Sequence, residues 1–524
     1  MKKQNKKIYD YVIIGSGFGG AVSALRLSEK GYKVLVIEKG KAFNPGDFPK
    51  TNWNLRKWLW VPFLRFFGFF KITYFKHIGV LSGVGVGGGS LVYANALPVP
   101  KSDFFESKSW SHLNDWEDDL KPFYDKAKNM LGVASNPRFD IGDKTLKSIA
   151  VEYNKESEFK TTEVAVYFNN DEKECDPYFD GGGPLRKPCT FCGHCMIGCN
   201  EGAKNTLDKN YLYFARKHGA EILPEHKVHS IKPIIGDSDT NLYEVCYKSS
   251  TKIIRKGKSV YSKGIVFAGG VLGTIPLLLK LKKTTLPNLS DMIGRKIRTN
   301  SESLLGITTP GKKNDFSEGI AISSIFHTDD YSHVEPVRYP AGSGFWRLAL
   351  TPMIKGGNVF QRTGQVIFNI IKQPVKFLKT YFVDDWAKRT QILLFMRTID
   401  STLTFKKGMV GMKSSMDEGD PPSAFIPEAL EIAEKFAERT GGLATALVSE
   451  SLLGIPTTAH ILGGAVMGDS PDNGVIDKDN KIFGYDNMYV CDGSMISANP
   501  GVNPSLTITA ITERAMSKIP QKDS

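Results

Sequence analysis

The sequence predicts an α/β chain in which a Rossmann-like unit, assembled from separated stretches, carries an inserted α+β unit built on an antiparallel sheet. Three observations lead there. Residues 9–38 read as strand, G-x-G-x-x-G turn, helix, second strand and terminal acid. Residues 81–100 hold a second glycine run set among valines. The stretch 301–454 shows apolar alternation in "AISSIFH", "GFWRLALTP" and "TLTFKKGMVGM", the period of sheet. At 524 residues, length alone allows two to four domains.

The first unit explains itself residue by residue. The apolar run of residues 9–14 ends at Gly15, which permits a tight turn. Gly17 lets backbone approach a pyrophosphate, and Gly20 lets the helix pack on the strand. The helix N-terminus then offers free N–H groups to phosphate, and Glu38, closing the second strand, is placed to accept hydrogen bonds from a ribose. The motif alone does not separate FAD from NAD.

In the second run, "LSGVGVGGGSLVYANALPVP", glycines 83, 85, 87, 88 and 89 precede Ser90 and Asn95. Backbone amides can press against a ligand here where any Cβ would clash. A flexible hinge would mix glycine with serine instead.

Bulk properties exclude several classes. A net charge of +13 comes from scattered lysines, and no basic, aromatic-interleaved nucleic-acid motif is present. The basic start "MKKQNKKIYDYVIIGSG" passes straight into a strand without a signal-peptide core, so a cytoplasmic chain is expected. Seven cysteines, four of them crowded together, do not read as a secreted disulfide framework. No apolar run is long enough to span a membrane. Residues 57–75, "KWLWVPFLRFFGFFKITYF", alternate aromatic with basic residues, which suits either a peripheral membrane contact or a lid or core loop packed on the protein's own cavity. Residues 364–396 read as a pair of basic, aromatic amphipathic helices that either form a membrane-docking mouth with 57–75 or shield the substrate sheet.

Taken in order, "VIIGSGFGGAVSALRLSEKGYKVLVIEKG", "GVGGGSLV", "AKNTLDKNYL", "IVFAGGVLGTIPLLLKL", "HILGG" and "DNMYVCDGSMISANPGVNPSLTITAITER" resemble the glucose-methanol-choline oxidoreductases, most closely their cholesterol oxidase branch. The resemblance implies FAD. It also implies oxidation of the CH–OH group of a bulky apolar alcohol, such as a 3-hydroxysteroid, by hydride transfer to flavin N5. It divides the chain into a discontinuous FAD-binding domain (8–50, 80–100, 200–300 and 455–520), a substrate domain (301–454), an aromatic lid or membrane segment (51–79) and a four-cysteine segment (181–205).

By the same resemblance, His460 of "HILGG" would bond or deprotonate the hydroxyl, and Asn503 of "NP" would orient it or contact the flavin. Ile461 stands where the family has proline. Glu335, five residues before a Pro-Ala-Gly, would lie over the flavin as an isomerising base, and burial in an apolar pocket would raise its pKa. Asp492 and Gly493 match a flavin-contacting turn, Gly269, Gly270 and Leu272 a second approach to the dinucleotide, and Val228 the backbone contact to adenine.

Cys189, Cys192, Cys195 and Cys199 follow C-x2-C-x2-C-x3-C, a spacing that suits an iron–sulfur cluster. Asn200 stands where a ferredoxin has proline, and no second set accompanies them, so reduced structural thiols are the favoured reading. A cluster would imply a dehydrogenase passing electrons to a redox acceptor; its absence would favour oxygen. A flavoprotein without alcohol chemistry, of the desaturase or lipid-carrier kind, is the alternative from a different class.

Overall fold

The computed structural model describes residues 7–171, 173–234, 242–399, 401–409, 411–417 and 422–523. Strand β1 (Ile8–Ile14) is buried along most of its length and pairs in parallel with β2 (Val34–Ile37) and with the strand Gly257–Phe267. A strand covered on both faces reads as a continuous apolar run, which is why "IYDYVII" lacks alternation. Further strands at Glu221–Leu223 and Met488–Val490 extend the parallel part. An antiparallel pair, His226–Ile234 and Leu242–Ser249, completes seven strands.

Helix α1 (Phe18–Glu29) follows a turn in which Gly15 has φ +105°. A Cβ on Gly20 would stand 2.2 Å from the Gly15 carbonyl oxygen, so glycine there sets how closely helix approaches strand. Helices Trp116–Leu131 and Ser505–Ser517 pack with α1 into the same core, although residues 101–180 carried no assignment from sequence.

The second large sheet is antiparallel. Its order runs Leu350–Pro352, Leu443–Leu447, Ser303–Thr308, Thr390–Arg397, Ser332–Val337, Ser324–His327 and Phe159–Thr161. Alternation splits its faces cleanly. Leu305, Ile307, Val334, Leu393 and Phe395 pack into a core with helices Ile141–Glu152 and Pro427–Thr440, while Leu304, Gly306, Val337, Ile392 and Leu394 face a cavity.

One expectation needs correction, and two become more specific. Residues 364–396 are not all helical: helices Val359–Lys372 and Pro374–Tyr381 give way to the strand Thr390–Arg397, whose "TQILLFMR" is central to the sheet and mostly buried. Of "TLTFKKGMVGM", Thr402–Lys407 is a strand outside that sheet: it pairs with Met412–Met416 and with Ile297–Arg298, and the latter pairs in turn with Leu462–Gly463. Residues 57–75 divide: Trp58, Phe69 and Phe70 are core, and Phe63 and Leu64 are exposed at a turn.

Candidate active site

One cavity of about 810 Å³ runs from the β1–α1 turn to the inner face of the antiparallel sheet. Gly15, Gly17, Glu38, Gly88, Val228 and Gly269 line one end of it, and Asp492, Gly493, His460 and Asn503 continue toward the other. The glycines make a cradle. A Cβ at Gly17 or Gly270 would meet no protein atom within 4 Å, and both residues face the cavity, so the space belongs to a ligand. This fits a dinucleotide lying on α1.

Of the other predicted contacts, Gly20, Gly87, Ser90 and Asn95 stand behind the wall. Gly20 packs the helix. Gly87, at φ +102°, accepts the Ser90 hydroxyl proton at 2.7 Å, and the Ser90 oxygen accepts the Leu207 N–H, so the pair shapes the glycine loop. Asn95 is buried at φ +72°, with neither end of its amide paired among the described residues. Glu38 accepts from the Ser16 N–H and hydroxyl and from the Gly40 N–H while lining the cavity. Asp492 accepts from the Gly270 N–H at 2.9 Å and from Thr274, tying the two dinucleotide turns together.

At the far end the cavity is walled by Trp60, Phe70, Tyr339, Trp346, Leu350 and Trp386. His460 faces it. Glu302, which sequence reasoning missed, is fully buried beneath, its Oε1 2.7 Å from His460 Nδ1. The same carboxylate accepts the Thr458 hydroxyl and the Ala459 N–H, each at 2.8 Å. A carboxylate can only accept, so Nδ1 carries the proton and the neutral ring keeps Nε2 as an acceptor. Burial disfavours charge on His460, but Glu302 outweighs it and holds the imidazole pKa above its ordinary value. "TNSESLLG" offers only an acid at the start of an apolar strand, which marks no role.

Glu335 is not on the wall. It shares a strand face with Val337 and stands opposite Leu394, both of which line the cavity, but Asn503 lies between. Asn503 Nδ2 donates to Glu335 Oε2 at 3.4 Å, and Asn503 Oδ1 has no partner among the described residues. Asn503 does not cap the following helix, whose first flank is Pro504. Burial pushes the Glu335 carboxyl up to about 8.

The four cysteines line a separate, much smaller cavity beside Lys204 and His194. Among the described residues, no group of three or more His, Cys, Asp or Glu is placed to hold a metal ion, so the ligand set expected from spacing is not assembled. The thiol environments differ instead: the Cys189 sulfur accepts the Phe191 N–H, and Cys195 is buried near the Ala321 N–H and Lys204. Lys204 donates to the carbonyls of Leu91, Tyr93 and Cys195, which ties this loop to the chain after the glycine run.

Models described as GMC oxidoreductase match residues 186–296 and 387–512, and one described as FAD binding domain matches residues 10–46. The chain is 42% identical to a cholesterol oxidase of Acinetobacter baumannii over 99% of its own length and 95% of that protein's. It is equally identical to a cholesterol oxidase of Mycobacterium tuberculosis, over 99% and 92%. A crystal structure of pyridoxine 4-oxidase from Mesorbium loti has the same fold, with a TM-score of 0.60 at 14% identity over 97% of this chain and 98% of that one.

Proposed function

The chain belongs to the GMC oxidoreductases and is an FAD-dependent alcohol oxidoreductase; from that premise we propose that it oxidises a 3-hydroxysteroid or a similarly bulky apolar alcohol, with oxygen as acceptor. The observation that carries this is the pairing of an aromatic-walled cavity end with the His460–Glu302 dyad. Full-length similarity to cholesterol oxidases supports the substrate class.

In this reading Gly15, Gly17, Gly88 and Gly269 hold the cofactor's phosphates, Glu38 its ribose and Val228 its adenine, within a discontinuous cofactor domain. FAD, when bound, supplies the hydride acceptor. The remaining chemistry belongs to side chains. Nε2 of His460 accepts the hydroxyl proton, held to that tautomer by Glu302. Asn503 orients the hydroxyl, and its bond to Glu335 keeps the acid one side chain from the substrate. Glu335 moves a proton at the carbon next to the new carbonyl once Asn503 turns aside.

The four cysteines act as structural thiols, and the exposed apolar residues near the cavity mouth rest on a membrane surface. The test is anaerobic bleaching of the bound flavin by a panel of sterols, long-chain alcohols and sugars, followed by peroxide assay in air. Bleaching by sterols with peroxide release is expected. Bleaching only by sugars, or dye reduction without peroxide, overturns the substrate or the acceptor respectively.

A further inference from the structure

Behind Glu335 a second buried side chain meets it. His333 sits two residues earlier on the same strand and so on the same face, and its Nε2 is 3.8 Å from Glu335 Oε1. The two side chains are 4% and 0% exposed, and neither facing atom has a hydrogen-bond partner among the described residues. An unpaired buried polar atom is costly, and two of them face to face call for an explanation. His333 is also the antiparallel register partner of His327, their rings 5.4 Å apart between centroids, and His327 is partly exposed. A row of Glu335, His333 and His327 therefore runs from behind Asn503 to the edge of the protein.

We propose that this row is a proton path that exchanges the proton on Glu335 with solvent. The inference rests on the reading of Glu335 as the group that moves a substrate proton. The step balances without electron transfer: protonated Glu335 gives its Oε1 proton to His333 Nε2, and His333 releases its Nδ1 proton outward to His327 or water. Reverse exchange restores the first tautomer. A separation of 3.8 Å is too long for a hydrogen bond, so a side-chain adjustment of about 1 Å precedes transfer.

Electrostatics suit a relay of neutral rings. Burial, aided by His327, Lys101 and His460, keeps the His333 pKa far below its usual value. Burial and Lys101 bring that of His327 to about 4, with Lys160 adding to this and Glu158 and Asp329 opposing. Neither ring is charged near neutrality, so each keeps one donor and one acceptor nitrogen.

The test uses the FAD-loaded enzyme in D2O with a β,γ-unsaturated 3-ketosteroid, which isolates isomerisation from oxidation. The deuterium fraction at the γ carbon of the conjugated product is read by NMR, per product molecule and so independent of the amount of folded enzyme. Wild type is expected to incorporate solvent deuterium, His333→Leu several-fold less, and His327→Gln an intermediate amount. If His333→Leu yields no soluble protein, His333→Gln and His327→Gln decide the question. A wild-type product without solvent deuterium, or an undiminished fraction in the His333 and His327 variants, overturns the path. Glu335→Gln separates the premise: isomerisation surviving in that variant overturns the reading of Glu335 itself, whereas its loss beside an undiminished His333→Leu fraction overturns the path alone.

Discussion

Glu302 Oε1 lies 2.7 Å from His460 Nδ1, so an imidazole that lines the cavity is held from behind by a fully buried carboxylate. Removing that carboxylate should release the ring and lower its pKa. Glu302→Ala is expected to slow flavin reduction by about 10²-fold or more, and Glu302→Gln by less, since the amide oxygen still accepts from Nδ1–H. Neutral His460 is the acting base, so activity falls as pH drops through its pKa. In both variants the acid limb of the pH–rate profile should move to lower pH while the plateau falls. Stopped-flow bleaching across pH checks this, and an unmoved acid limb would count against the dyad.

Glu335 gives a second pH signature of opposite placement. With burial holding its carboxyl up to about 8, the base form is a minority species near neutrality, about one site in a hundred at pH 6. Isomerisation of a β,γ-unsaturated 3-ketosteroid should therefore speed up as pH rises from 6 to 9. Flavin reduction should instead follow the titration of His460, with a pH profile that Glu335→Gln leaves unchanged. Glu335→Gln should abolish the first activity and spare the second.

How far the sequence foretold this site depends on whether a residue's job is local. Gly15, Gly17 and Gly20 were legible because a strand–turn–helix imposes its demands within a few positions, and Asp492 because its turn came in a block with a recognisable resemblance. Glu302 was not: its partners Thr458, Ala459 and His460 are distant in sequence, and no short motif records such a contact. The lysine of "AKNTLDKNYL" was read as part of a family block. Only the fold shows that Lys204 satisfies three backbone carbonyls, with burial bringing its ammonium down to about 7. The cysteine spacing left a cluster and structural thiols both open for a related reason. Ligand spacing brings thiols near one another along the chain, but whether sulfurs converge depends on backbone partners such as the Phe191 N–H.

The helices Val359–Lys372 and Pro374–Tyr381 carry an apolar face that the other described residues leave uncovered. Phe360 is 88% exposed, and Phe368, Ile371, Val375 and Phe382 are exposed beside Lys372, Lys376 and Lys379. These helices pack on strands whose Leu350 and Leu447 line the cavity. Co-sedimentation with vesicles containing anionic phospholipid should capture the protein, less at high salt. Replacing Phe360, Phe368 and Ile371 together by serine should cut the bound fraction several-fold while leaving turnover of detergent-dispersed substrate intact. Equal capture of the triple variant would place the contact elsewhere.

Glu450 supplies a stability test independent of turnover. It is buried next to the segment that carries His460; Oε1 accepts the Thr457 N–H at 3.1 Å and Oε2 has no partner among the described residues. Burial, with the nearby Glu302 charge adding to it, raises the carboxyl to about 8. The folded chain thus holds a proton that the unfolded chain releases near pH 4.5, and between those values the unfolded state binds fewer protons. Stability must then fall as pH rises from about 4.5 to about 8, the reverse of an ion-paired carboxylate. Glu450→Gln keeps the acceptor and removes the titration. Its melting temperature should match wild type at pH 5 and exceed it by ~3 °C at pH 9, read by thermal scans of the flavin-loaded proteins at one scan rate. A difference of the same size at both pH values would mean that the substitution acts through packing and that Glu450 is not the titrating group.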